Sequence, residues 1–136
     1  MSISPTDDNA ISRASIGRGE PLHADEPATL AELFYRSGEK YDRPDALNYK
    51  NGGRWLSISS REMIERAESI AMGMVDLGLA SGARVAILAA NSPAWTLTDA
   101  ACQISGVVDV PVYTTLTPES VRYILDNSSA KVLFID

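Results

Sequence analysis

A chain of 136 residues with 18 acidic and 12 basic side chains, a net charge of −6 and 45% hydrophobic residues has ordinary globular composition and can bury about two-thirds of its unfolded surface. The acidic balance without a basic cluster argues against a nucleic-acid surface, and the single cysteine, Cys102, excludes an intramolecular disulfide framework and a zinc cluster of several thiolates. The longest apolar run, Val85 to Ala90, is too short to cross a bilayer, so no transmembrane segment is expected and a reduced cytoplasmic setting fits the lone thiol.

Residues 1–28 are rich in Ser, Asp, Gly and Pro and lack periodicity, which predicts a mobile N-terminal arm or a strap over a neighbour. From residue 29 the pattern changes. Thr29 with Glu32 three residues later forms a capping box, and Leu30, Leu33, Phe34, Ser37 and Tyr41 recur at helical spacing. Asn51-Gly52-Gly53 between two β-prone runs predicts a β-hairpin. Ser59 and Glu62 make a second capping box, followed by an apolar face of Met63, Ile64, Ala67, Ile70, Ala71, Met74 and Val75. Gly78 supplies the left-handed residue that ends this helix.

The run Val85 to Ala90 shows no alternation, which predicts a strand covered on both faces, as in a parallel sheet. Ser92 and Pro93 open a helix that Gly106 closes, Val107 to Tyr113 reads as the next strand, and Thr117 and Pro118 open another helix. Val132, Leu133, Phe134 and Ile135 read as a buried final strand. The order strand, helix, strand, helix, strand is a βαβαβ unit with right-handed crossovers. The expected fold class is therefore α/β, a partial doubly wound parallel sheet preceded by a helix, a hairpin and an amphipathic helix.

Residue patterns that carry chemistry are sparse. No GxGxxG, GxxxxGK[ST] or GxSxG occurs, so the dinucleotide, phosphate-loop and nucleophile-elbow signatures are absent. The lone His23 lies in the polar arm, and "HADE" reads as a solvated loop rather than a metal site. Cys102, among Ala100, Ala101 and Ile104, reads as a packing residue rather than a nucleophile. Trp95 is expected in the core, and Asp99 and Arg122 as exposed charges. Open α/β sheets bind ligands beyond the carboxyl ends of their strands. That rule marks Asn91 after the first strand and Tyr113, Thr114 and Thr115 after the second as cleft-edge positions. The competing reading is that Asn91 and Ser92 cap a helix and "YTTLT" is a turn, which the residues by themselves favour.

From Thr29 to Asp136, "YDRPDAL", "RWLSIS", "LGLASGARVAILAANSPAW", "GVVDVPVYTTLTPESVRYIL" and "SAKVLFI" follow one another in an order and spacing that resembles the start of the adenylate-forming enzymes, and among them the long-chain fatty-acid–CoA ligases. The resemblance implies a reaction in which ATP and a fatty acid give an acyl-adenylate that CoA converts to a thioester, with Mg²⁺ compensating the phosphate charge. It further implies that the chain is a piece, residues 29–136, of the family's large N-terminal domain. The phosphate loop, nucleotide motifs, acyl pocket and catalytic lysine would then lie downstream, so no catalytic residue and no cofactor site are carried over to this sequence. Such a piece is expected to be inert alone, to expose sheet edges and apolar faces, and to form homo-oligomers through them or by swapping the hairpin or arm. Peripheral membrane contact is open to it. Two alternatives remain at this point: a non-catalytic nucleotide- or acyl-binding module, and an assembly subunit that completes its sheet with another polypeptide.

Overall fold

The computed structural model describes residues 25–136; the expectations placed on the arm up to Ala24, His23 among them, lie outside the described residues. The elements in chain order are α1 (Leu30–Tyr41), β1 (Leu47–Asn51), β2 (Arg54–Ile58), α2 (Ser60–Asp76), β3 (Arg84–Leu88), α3 (Pro93–Ser105), β4 (Val108–Val112), α4 (Pro118–Ser128) and β5 (Val132–Ile135). β1 and β2 form an antiparallel ribbon, and β4-β3-β5 form a parallel sheet with β3 in the middle. The expected α/β architecture is present.

The hairpin turn is one residue shorter than expected. Asn51 pairs with Arg54 inside the ladder, and only Gly52 and Gly53 turn, both with positive φ, as a two-residue hairpin matching strand twist requires. In α1, Thr29 Oγ1 accepts the Glu32 N–H at 3.0 Å. The Glu32 carboxylate reaches the Ala28 N–H at 2.8 Å, and Arg36 donates to the Asp25 carbonyl at 2.6 Å, so the chain entering α1 is tied to the helix. Leu30, Leu33 and Tyr41 of the sequence stripe stay exposed. The helix instead approaches α2 through Gly38, where an added Cβ would come 2.6 Å from Ile64 Cδ1.

α2 and α3 end in the same way. At the end of α2 the Leu79 N–H bonds the Met74 carbonyl at 3.1 Å and the Gly78 N–H bonds that of Val75 at 2.8 Å. At the end of α3 the Val107 N–H bonds the Cys102 carbonyl at 3.0 Å and the Gly106 N–H bonds that of Gln103 at 3.4 Å. These are two Schellman caps, with Gly78 at φ +77 and Gly106 at φ +71. Each cap brings its hydrophobic pair, Leu79 with Met74 and Val107 with Cys102, into one buried cluster that also holds Ala71, Val85 and Ala101. The caps therefore both stop the helices and aim the following strands. Val75, expected on the buried face of α2, is 61% exposed, while its neighbour Met74 turns into the core at 1% exposure.

β3 is covered on both faces, with Val85, Ala86 and Ile87 at 0%, 0% and 1% exposure. Full burial of such side chains contributes about 1.5–3 kcal/mol each for Val and Ile. The register aligns Val85 with Val132 and Ile87 with Phe134, and Val132 and Phe134 pack against the α2–α3 cluster. The connections leave β3 for β4 on one side and return past β3 to β5 on the other, so right-handed crossovers put α3 and α4 on opposite faces. The α4 side is thinly covered: α4 buries no residue fully. β5 departs from the expected buried strand for this reason. It is an edge strand whose Leu133 and Ile135 are 39% and 69% exposed, lying on the face opposite Phe134.

Two further expectations are corrected. Trp95 is only half-buried, since it sits in the first turn of α3 at the rim of the sheet. Asp99 is half-buried, not exposed, because one turn farther along α3 its side chain lies toward edge strand β4. Burial, then the charge of Asp109, raises the Asp99 carboxyl above its usual range, against a hydrogen bond from Gln103 that lowers it. The buried Cys102 thiol is pushed up to about 12 by burial, then by Asp109 and Asp99. It is a packing residue, as expected, and carries no thiolate near neutrality.

Two stability measurements follow. Gly106→Ala and Gly78→Ala should each lose about 1–2 kcal/mol from left-handed backbone strain. Gly106→Ala should lose more, because its Cβ would meet Ser81 Oγ at 2.8 Å while nothing lies within 4 Å of Gly78; urea melts in which Gly78→Ala is the worse variant would contradict this. For Asp99, a folded-state pKa above the unfolded one means that stability is present at low pH and lost as pH rises through the carboxylate range. Asp99→Asn should therefore raise the melting temperature at neutral pH, with the gain closing on acidification below that range. A gain that persists or grows in acid would show the sign to be wrong.

Candidate functional site

The carboxyl end of β3 opens onto a cleft of about 440 Å³ lined by Leu47, Asn48, Tyr49 and Lys50 of β1 and by Asn91, Ser92, Pro93 and Thr96 at the start of α3. The parallel strand delivers its C-terminus here, and Pro93 at the first helical position turns the chain at once into α3. Ser92 Oγ accepts the Trp95 N–H at 3.2 Å and its carbonyl accepts the Thr96 N–H at 3.2 Å, so Ser92 is spent on the helix cap. Asn91 does not cap. It is exposed at the cleft mouth.

The other marked positions lie apart. Tyr113 is 74% exposed, and Thr114 and Thr115 are exposed beside it. The Leu116 N–H closes a turn on the Tyr113 carbonyl at 3.2 Å, and Thr117 Oγ1 accepts the Ser120 N–H at 3.3 Å to cap α4. Glu119 in that first turn is held below the usual carboxylate range by its own backbone N–H and then by the Thr117 hydroxyl. None of Tyr113, Thr114 and Thr115 lines the cleft with Asn91. The β1 wall of the cleft was not marked from the sequence, since no local pattern reports that a hairpin far upstream packs beside the start of α3.

The cleft lining is one ammonium, hydroxyls, amides and apolar groups, which can hold a polar ligand loosely but offers no activated nucleophile and no paired carboxylates. Among the described residues no group of three or more His, Cys, Asp or Glu side chains is placed to hold a metal ion. These residues do not fit a Mg²⁺ site, and no metal-dependent step is assigned to them. A larger concavity of about 590 Å³ between α2 and α3 has Ile70 and Leu97 at its floor. Its Arg66 is paired with Glu62, and Glu65 stands on the same rim.

Comparison with known proteins gives this arrangement its context. The family model described as "AMP-binding enzyme" matches residues 34–136. The long-chain-fatty-acid–CoA ligase ACSBG1 of Mus musculus is 34% identical over 119 residues, which is 88% of this chain and 16% of the relative. The long-chain-fatty-acid–CoA ligase FadD15 of Mycobacterium tuberculosis is 35% identical over 118 residues, 85% of this chain and 19% of its own. The solved N-terminal subdomain of NpsA from Klebsiella oxytoca superposes with a TM-score of 0.68 at 24% identity, covering 79% of this chain and 27% of that one, a likeness of fold. The chain thus spans less than a fifth of the length of these two ligases, and with its family model matched over most of its residues it belongs to the AMP-binding enzyme family.

Proposed function

We propose that this chain supplies the N-terminal α/β unit of an AMP-forming long-chain fatty-acid–CoA ligase. The observation that carries the reading is the family match over residues 34–136, joined to relatives whose names specify that activity at 34% and 35% identity. The reaction joins a fatty acid to CoA through an acyl-adenylate formed from ATP, with Mg²⁺ supplying charge compensation at the phosphates when bound. The residues of this chain contribute the buried β3 platform and the polar mouth at Asn91. The groups that hold ATP, Mg²⁺, CoA and the acyl chain are assigned to polypeptide outside these 136 residues, and the chain alone to a catalytically inert role.

Alone, the chain pairs with further copies through the exposed β4 and β5 edges, which carry Val108, Leu133 and Ile135 and unpaired backbone groups. A cytoplasmic place fits the reduced thiol; among the described residues no helix is long and apolar enough to cross a membrane. A freestanding nucleotide- or acyl-binding module is not favoured, because no Gly-rich phosphate cradle follows β3. The test is fatty-acid-dependent exchange of pyrophosphate into ATP. The product of the gene's whole reading frame is expected to catalyse it with long-chain acids, and residues 1–136 by themselves are not. A full product inert with every carboxylate offered would overturn the ligase reading, and exchange by the 136 residues alone would overturn the assignment of the catalytic groups elsewhere.

A further inference from the structure

An asparagine can lose its side-chain amide without help from any other molecule but water. The backbone nitrogen of the following residue attacks the asparagine Cγ; the new N–Cγ bond closes a cyclic imide, the bond from Cγ to the amide nitrogen breaks, and ammonia carries off the backbone proton. Water then opens the imide at either carbonyl, leaving aspartate or, with the main chain rerouted through the side chain, isoaspartate. The step asks for a side chain free to rotate, an attacking N–H without an acceptor, and a following residue with no Cβ to crowd the ring.

Residues 25–136 contain Asn48, Asn51, Asn91 and Asn127. Asn48 precedes Tyr49, and its amide is held at both ends: Nδ2 donates to the Asp45 carbonyl at 3.0 Å and Oδ1 accepts the Ser57 hydroxyl at 2.7 Å. Asn127 precedes Ser128 inside α4, where helical hydrogen bonds fix the backbone. Asn91 is exposed but precedes Ser92, whose side chain is committed to the α3 cap. Asn51 differs from all three.

It is exposed and followed by Gly52. The ladder closes on the Asn51–Arg54 pair, so the Gly52 N–H lies outside it, and that N–H has no backbone acceptor among the described residues. No heavy atom lies within 4 Å of the missing Cβ of Gly52 or Gly53, so the turn can bend without a clash. We propose that Asn51 is a self-modification site, at which this protein converts to aspartate and isoaspartate with water as the only co-reactant. The two products differ in consequence. Aspartate places a carboxylate opposite Arg54, its register partner, a favourable cross-strand pair, and the hairpin persists. Isoaspartate adds a carbon to the main chain beside a two-residue turn whose length fixes the register, so the Lys50–Trp55 alignment is lost and the tip opens. The site lies one residue beyond the cleft lining, which ends at Lys50, and it stands independently of the ligase reading, since it uses only the turn.

The test is ageing of the 136-residue chain at mildly alkaline pH, natively and in urea, with each asparagine peptide followed by mass spectrometry and isoaspartate counted by enzymatic carboxyl methylation. In the native chain Asn51 should convert about tenfold faster than Asn48, Asn91 or Asn127, a barrier lower by about 1.4 kcal/mol, and at a rate close to its own in urea. Asn51→Gln, whose longer side chain closes the ring poorly, should abolish methylation from the turn and leave the melting temperature unchanged. Trypsin should cut the isoaspartate fraction after Arg54 faster than it cuts the Asn51→Asp variant, whose turn stays closed. Native conversion led by another of the described asparagines, or conversion of Asn51 in urea but not in the native chain, would overturn the proposal. Equal cleavage of the isoaspartate fraction and Asn51→Asp would overturn the opening of the tip.

Discussion

The constraint on which this structure depends is the double-sided burial of β3. Val85, Ala86 and Ile87 are virtually inaccessible to water, and a strand with no polar face can persist only between two covering layers. One layer is built from α2 and α3, which pack against each other along Ala67, Ala100 and Leu97 and are stopped by matched glycine caps. The small residues let the helices approach closely, and the caps return the chain to the sheet within a few residues. The other layer is α4 alone, and it is incomplete.

That asymmetry orders the rest of the molecule. On the α2–α3 side the polar intrusions are few: Asp99 and Asp109 raise the cost of ionisation near Cys102, and the sulfur stays a neutral packing group. On the α4 side Leu133 and Ile135 meet water, in a unit that accounts for 27% of the NpsA subdomain with the same fold. The functional surface follows from the same geometry. The carboxyl end of the buried strand meets the start of α3 at Asn91, and the hairpin walls that opening with Leu47, Asn48, Tyr49 and Lys50.

Much of this was legible in the sequence, because local chemistry announces itself locally. Thr29, Ser59, Ser92 and Thr117 cap their helices as the pattern requires, Gly78 and Gly106 end theirs in the left-handed region, and the unalternating run at Val85 marked a strand buried on both faces. Long-range placement was not legible. Nothing near Asp99 in sequence shows that β4 brings Asp109 against it, and nothing in Val132 to Ile135 distinguishes an edge strand from a central one. The cleft-edge positions divide for the same reason: Asn91 reaches the opening beside β1, whereas Tyr113, Thr114 and Thr115 form an exposed turn at the end of a different strand.

The measurement that tests this account most directly is native-state hydrogen exchange resolved by residue. If β3 held between two unequal layers organises the fold, the amides of Val85, Ala86 and Ile87 and of the Ala101–Cys102 stretch of α3 should exchange only through global unfolding. Those of α4 and β5 should open at distinctly lower free energy. Protection in α4 and β5 equal to that of β3, or β3 amides that exchange first, would contradict it.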